Sequence, residues 1–151
     1  MSSFTLLLVE DSYGDQKLVA EALKSGKRDT NLQIAGNGDE AISYLSRNGN
    51  DNAVTAPNLI ILDLNLPGKG GYEILAEIKQ HTALAHIPIV ILTGAKVPLD
   101  GPYAPDFYLV KPDSLAKYFR VVLAVDEFGR NMLVSPGARE AHLEKLRRSV
   151  E

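Results

Sequence analysis

The chain has 151 residues, 45% of them hydrophobic and 23% charged, enough for one globular domain with a real core and too little for two large ones. A net charge of −3 argues against a general nucleic-acid or membrane-surface binder, and the absence of cysteine excludes disulfides, thiol catalysis and thiolate metal sites. No apolar run reaches the roughly 20 residues that span a bilayer, and Met1-Ser2-Ser3-Phe4 lacks the basic flank and apolar core of a signal peptide, so the expected address is the cytoplasm.

Taken in chain order, the periodicity alternates in kind. Thr5 to Val9 is a continuous apolar run of strand length, and Asp15 to Ser25 follows with Leu18, Val19, Ala22 and Leu23 at helical spacing. Leu32 to Ala35 is a weaker, alternating strand. Asp39 to Arg47 is helical, preceded by Asn37-x-x-Glu40, which resembles a capping box. Asn48 to Pro57, rich in Asn, Gly and Asp, reads as a surface loop. Asn58 to Leu62 is a second continuous apolar strand, Tyr72 to Gln80 a third helix, and Pro88 to Leu92 and Phe107 to Val110 two further strands. Continuous apolar strands are buried on both faces, and strand–helix alternation implies right-handed βαβ units: an α/β fold with a doubly wound, five-stranded parallel sheet.

Two stretches break the rhythm. Pro98, Gly101, Pro102 and Pro105 fall where a helix between the last two strands is expected. Proline costs about 3 kcal/mol in a helix interior, so this fourth helix is expected to be shortened or absent. The other is the end of the chain. Asp113 to Phe128 is helical and apolar on nearly every face, which requires cover on both sides. One side covers the sheet; the tail or a second subunit must cover the other. The chain divides into a domain over 1–128 and an extension over 129–151, helical from about Pro136, with Leu143, Leu146 and Val150 as its apolar stripe. His81, His86 and His142 are scattered, with no metal-ligand spacing.

In an open parallel sheet, ligands bind beyond the carboxyl ends of the strands. Glu10 and Asp11 follow the first strand and Asp63 the third, so three acids converge there. Packed like charges repel unless a cation neutralises them, and oxygen-only ligands suit Mg²⁺, which keeps its own waters and pairs with phosphate oxygens. Thr93 closes the fourth strand with a hydroxyl and Lys111 the fifth with an ammonium, both able to meet a phosphoryl oxygen. Pro112 makes a Lys-Pro bond in which cis is accessible and would aim Lys111 inward.

The phrases Leu8-Val9-Glu10-Asp11-Ser12, Leu62-Asp63-Leu64-Asn65-Leu66-Pro67-Gly68, Ile91-Leu92-Thr93 and Tyr108-Leu109-Val110-Lys111-Pro112 resemble the receiver domain of two-component response regulators, a flavodoxin-like fold. The Glu-Asp pair and the Asp-Leu-Asn-Leu-Pro phrase look most like the small single-domain regulators paired with bacterial phytochrome histidine kinases. The resemblance implies that Asp63 is the phosphoacceptor and that Glu10, Asp11, Asp63 and the backbone carbonyl of Asn65 hold Mg²⁺. It implies that Thr93 and Lys111 contact the phosphoryl oxygens and that Tyr108 is a switch aromatic. The expected partner is a sensor histidine kinase of the bacteriophytochrome type, and the expected assembly a homodimer through the 107–128 region. Such a protein is not an enzyme in the ordinary sense, though the family catalyses its own phosphorylation and dephosphorylation. Gly94, where the family usually carries Ala, predicts a short-lived aspartyl phosphate.

Two other readings compete. A receiver fold acting as a phosphorylation-independent interaction module fits the proline-broken segment but not the full set of Glu10, Asp11, Asp63, Thr93 and Lys111. A phosphatase built on an Asp nucleophile commonly needs a second acid two residues on, where this chain has Asn65.

Overall fold

A computed structural model of the chain describes residues 4–47, 56–94 and 102–151. The elements are β1 (Phe4–Val9), α1 (Tyr13–Ser25), β2 (Thr30–Ala35), α2 (Gly38–Arg47), β3 (Leu59–Leu62), α3 (Gly71–Gln80), β4 (Ile89–Thr93), β5 (Phe107–Val110), α4 (Leu115–Val134) and α5 (Arg139–Val150), with a 3-10 turn over Pro136–Ala138. All strand pairs are parallel, in the order β2-β1-β3-β4-β5. The doubly wound, five-stranded parallel sheet expected from the strand–helix alternation is therefore the one observed, and with it the flavodoxin-like fold that the resemblance implies.

The two-residue period of a strand divides the core into two layers. Leu6 and Leu8 of β1 and Leu59 and Ile61 of β3 face α1 and α4, where Val19, Ala22, Val121, Val122, Val125 and Phe128 meet them. Leu7, Val9, Ile60, Leu62 and Ile89 point the other way, against Ala41 and Leu45 of α2 and Ile74, Leu75 and Ile78 of α3. Burial on both faces is why these strands read as unbroken apolar runs. Asn58 fixes the β1–β3 register, its side chain accepting from the Thr5 N–H at 2.8 Å while its own N–H donates to the Thr5 carbonyl.

Helix starts follow local chemistry. Ser12 caps α1 by accepting from the Asp15 N–H at 3.3 Å. Before α2, Asn37 accepts from the Glu40 N–H at 2.9 Å, and Glu40 reaches back to the Gly36 N–H at 2.6 Å rather than to Asn37's own.

Three expectations change. The helix expected to end at Phe128 continues to Val134. Gly129 ordinarily weakens a helix interior, but here it lets α4 lie against the sheet, since a Cβ would stand 2.7 Å from Phe4 Cζ and 2.8 Å from Leu59 Cδ2. The tail is helical as expected, but Pro136 opens a 3-10 turn and α5 proper begins at Arg139. Its Leu143 and Leu146 are buried against α4, so the second apolar side of that helix is covered within the chain. The Lys111–Pro112 bond is trans, there being no cis peptide among the described residues; lysine's long stem makes the isomer unnecessary.

The expected loop over 48–57 and the proline-rich 94–106 segment lie largely outside the described residues. Residues 102–106 carry no helix. Tyr103 packs against the core layer of α2 and α3.

Candidate functional site

At the carboxyl end of the sheet, the central strands deliver their last residues side by side. The Asp63 N–H donates to the Val9 carbonyl at 3.0 Å and the Lys111 N–H to the Thr93 carbonyl at 2.8 Å, so the ends of β1, β3, β4 and β5 form one rim. Glu10 and Asp63 are buried there while Asp11 is exposed, and the three offer carboxylate oxygens within 4.8 Å of one another. Three carboxylates this close repel unless a cation sits among them, and the all-oxygen donor set with one open side fits a hard divalent ion.

Lys111 reaches the same group. Its Nζ donates to Glu10 Oε1 at 2.7 Å, to Asp15 Oδ2 at 2.8 Å and to Asp63 Oδ2 at 3.4 Å. Burial pushes the Glu10 carboxyl up to about 7, against the pull of Lys111 and of the Ser12 N–H, with the Asp63 charge adding to the rise. Burial works the other way on Lys111, but its bonds to Asp15 and Glu10 and the charges of Glu10 and Asp63 outweigh it, holding the ammonium protonated above its ordinary range. The buried hydroxyl of Tyr118 in α4 is also raised, chiefly by burial and further by the Asp15 charge.

Of the residues singled out from sequence, Glu10, Asp11, Asp63 and Lys111 are brought into one group. Asn65 stands beside it, exposed, with its N–H on Asp63 Oδ1 at 3.2 Å. Thr93 is fully buried at the end of β4. Tyr108 is half-buried in β5, paired in register with Ile91. Sequence reasoning missed Asp15, which looked like an ordinary first-turn acid; its place four residues beyond Asp11, on the helix leaving the rim, was the available signal. It also missed Gln16, whose Nε2 donates to the Glu10 carbonyl at 2.7 Å and ties α1 to the end of β1.

The loop after β3 is held by close backbone approach. A Cβ on Gly71 would meet Leu64 Cα at 2.6 Å and the Asp63 carbonyl oxygen at 2.7 Å, so only glycine lets α3 begin this near Asp63. Gly68, at φ 73°, makes the preceding turn. An apolar cleft lined by Pro57, Ile87, Pro88, Met132 and Leu133 lies at the amino end of β3 and β4, away from this chemistry.

The comparisons with known proteins agree with this geometry. The family model for the response regulator receiver domain matches residues 6–101. Response regulator Rcp1 of Synechocystis sp. is 39% identical over 137 residues, covering 88% of this chain and 93% of its own. The crystal structure of the Mn(2+)-bound form of Rcp1 superposes with a TM-score of 0.74 at 40% identity, covering 83% of this chain and 93% of that one. The phosphorylated cyanobacterial phytochrome response regulator RcpA gives 0.78 at 33% identity, covering 87% and 96%. Among the described residues, no helix is long and apolar enough to cross a membrane. With the rim of strand ends, the family model and these relatives in agreement, this chain belongs to the response regulator receiver family, a family of signalling proteins rather than enzymes in the ordinary sense.

Proposed function

We propose that this receiver accepts a phosphoryl group on Asp63 from a sensor histidine kinase in an Mg²⁺-dependent reaction, and signals through protein contacts. The observation that carries the reading is the position of Lys111, whose ammonium spans Glu10, Asp15 and Asp63 at the mouth of the rim. Glu10, Asp11, Asp63 and the backbone carbonyl of Asn65 would hold the ion, which offsets negative charge on phosphoryl oxygens when bound. Asp63 supplies the attacking oxygen, kept in place by the Asn65 N–H on Oδ1. As the kinase P–N bond breaks and the P–O bond forms, Lys111 trades its long contact with Asp63 Oδ2 for a phosphoryl oxygen, and Thr93 donates its hydroxyl to another. Tyr108, three residues before Lys111, responds to that movement as the switch aromatic.

Likeness to Rcp1 and RcpA supports a kinase of the bacterial phytochrome type. A homodimer through the 107–128 region is supported by the edge position of β5 and the exposure of Val110 and Leu115 beside it. The test is intact mass after incubation with acetyl phosphate and Mg²⁺, with sizing. Wild type gains one phosphoryl group; Asp63→Asn, or removal of Mg²⁺, abolishes it. Failure with acetyl phosphate and with a cognate kinase would leave a phosphorylation-independent interaction module.

A further inference from the structure

Lysine offers three N–H donors, and Lys111 places a carboxylate oxygen near each direction: Glu10 at 2.7 Å, Asp15 at 2.8 Å and Asp63 at 3.4 Å. Two of these partners have a second demand on them. Glu10 and Asp63 belong, with Asp11, to the group whose oxygens converge within 4.8 Å and could hold a cation. Asp15 stands outside that group, so its carboxylate remains available to the ammonium when the other two are engaged.

Asp15 is itself well held. It lies in the first turn of α1, where its N–H donates to the Ser12 cap at 3.3 Å, and the next residue, Gln16, is tied to the Glu10 carbonyl at 2.7 Å. The turn is thus fixed to the end of β1 and carries the carboxylate to Lys111 across 96 residues of sequence. Lysine is a point charge on a flexible four-carbon stem and needs such an anchor to stay in one place.

We propose that Asp15 is a positioning residue for Lys111, keeping the ammonium beside Asp63 when Glu10 and Asp63 themselves are engaged by a cation and a phosphoryl group. The inference rests on the phosphoacceptor reading of Asp63. A rival account is at hand: an acid in the first turn of a helix also meets the helix dipole favourably, which would make Asp15 a stability residue and nothing more.

The experiment compares Asp15→Ala and Asp15→Asn, each alone and in a Lys111→Met background. It follows the rate of phosphorylation by acetyl phosphate, Mg²⁺ affinity by calorimetry and the melting temperature. Asn loses the charge, and with it the dipole interaction, but keeps an acceptor oxygen for Lys111; Ala keeps neither. Asp15→Ala is expected to slow phosphorylation about tenfold, the scale of one hydrogen bond to a charged group, while Asp15→Asn stays within about threefold of wild type. Mg²⁺ affinity should hold in both, and in the Lys111→Met background Asp15→Ala should cost nothing further. Equal rates in wild type and both variants, with only the melting temperature lowered, would leave Asp15 a helix-terminus acid and overturn the proposal. So would a rate loss that tracks Mg²⁺ affinity, or one that persists without Lys111. Wild type that is not phosphorylated on Asp63 at all would remove the phosphoacceptor reading first, and this inference with it.

Discussion

In the metal-free protein, Glu10 is a liability at neutral pH, and replacing it should stabilise the fold. Its carboxyl is 3% exposed and sits between Lys111 and Asp63. Burial raises it from an ordinary 4.5 to about 7, so between those values the folded chain holds a proton that the unfolded chain releases. The stability tied to that proton is fully present below about pH 4.5 and is lost as the pH rises through about 7. A rise of that size corresponds to an upper bound of about 3 kcal/mol, and relaxation of Lys111 toward the ionised form lowers the expected cost to about 1–3 kcal/mol. Glu10→Gln is nearly isosteric and leaves Lys111 its bonds to Asp15 and Asp63. Urea unfolding in EDTA at about pH 8 should therefore find the variant more stable than wild type by about 1–3 kcal/mol, with the difference closing toward about pH 4.5. Saturating Mg²⁺ should reverse the order, because wild type keeps a ligand that the variant lacks. A variant less stable than wild type at about pH 8 without metal, or a difference that ignores pH, would refute the reasoning.

The other predictions concern packing and the open edge of the site. Gly129→Ala would gain about 1 kcal/mol from helix propensity alone, but its methyl would strike Phe4 and Leu59, so thermal unfolding should find a net loss of about 1–3 kcal/mol. Asp126 is buried, accepts from Thr30 Oγ1 at 2.7 Å and pairs with Arg130 at 3.0 Å, which ties α4 to the start of β2. Asp126→Ala should cost about 1–3 kcal/mol in urea unfolding, since it removes the acceptor of the Thr30 hydroxyl and the anion beside Arg130, which keeps only its bonds to the Asp29 carbonyl and Thr30 Oγ1. At Gly94 a Cβ would meet nothing within 4 Å among the described residues. Gly94→Ala should therefore fold normally and, by narrowing access to the phosphoryl group, lengthen the lifetime of the aspartyl phosphate several-fold, on the order of 1 kcal/mol in barrier. A lifetime unchanged by the methyl, or one of many hours in wild type, would remove the role given to this glycine.

Much of the site could be read early because in this architecture the residue after a buried strand is a functional position. Glu10 and Asp11, Asp63, Thr93 and Lys111 each end an apolar run, and the parallel sheet sets those ends in one rim. Asp15 was not legible in the same way. As a first-turn acid behind a Ser12 cap it satisfies every local rule, and nothing near it in sequence says that Lys111 is its partner. The continuation of α4 past Phe128 was hidden for a related reason, since only the neighbouring sheet shows that Gly129 belongs inside the helix.

The sequence by itself determined the strands, most of the helices and the carboxylates at the rim, because a strand buried on both faces must be apolar throughout and a cap must be polar wherever a helix starts. These are requirements a residue meets with its nearest neighbours. Only the tertiary structure decided that α5 covers α4, that Lys111 enters through a trans bond and that Asp15 joins it. Those outcomes depend on which surfaces meet after the chain has closed on itself, and residues far apart in sequence carry no local pattern that records the meeting.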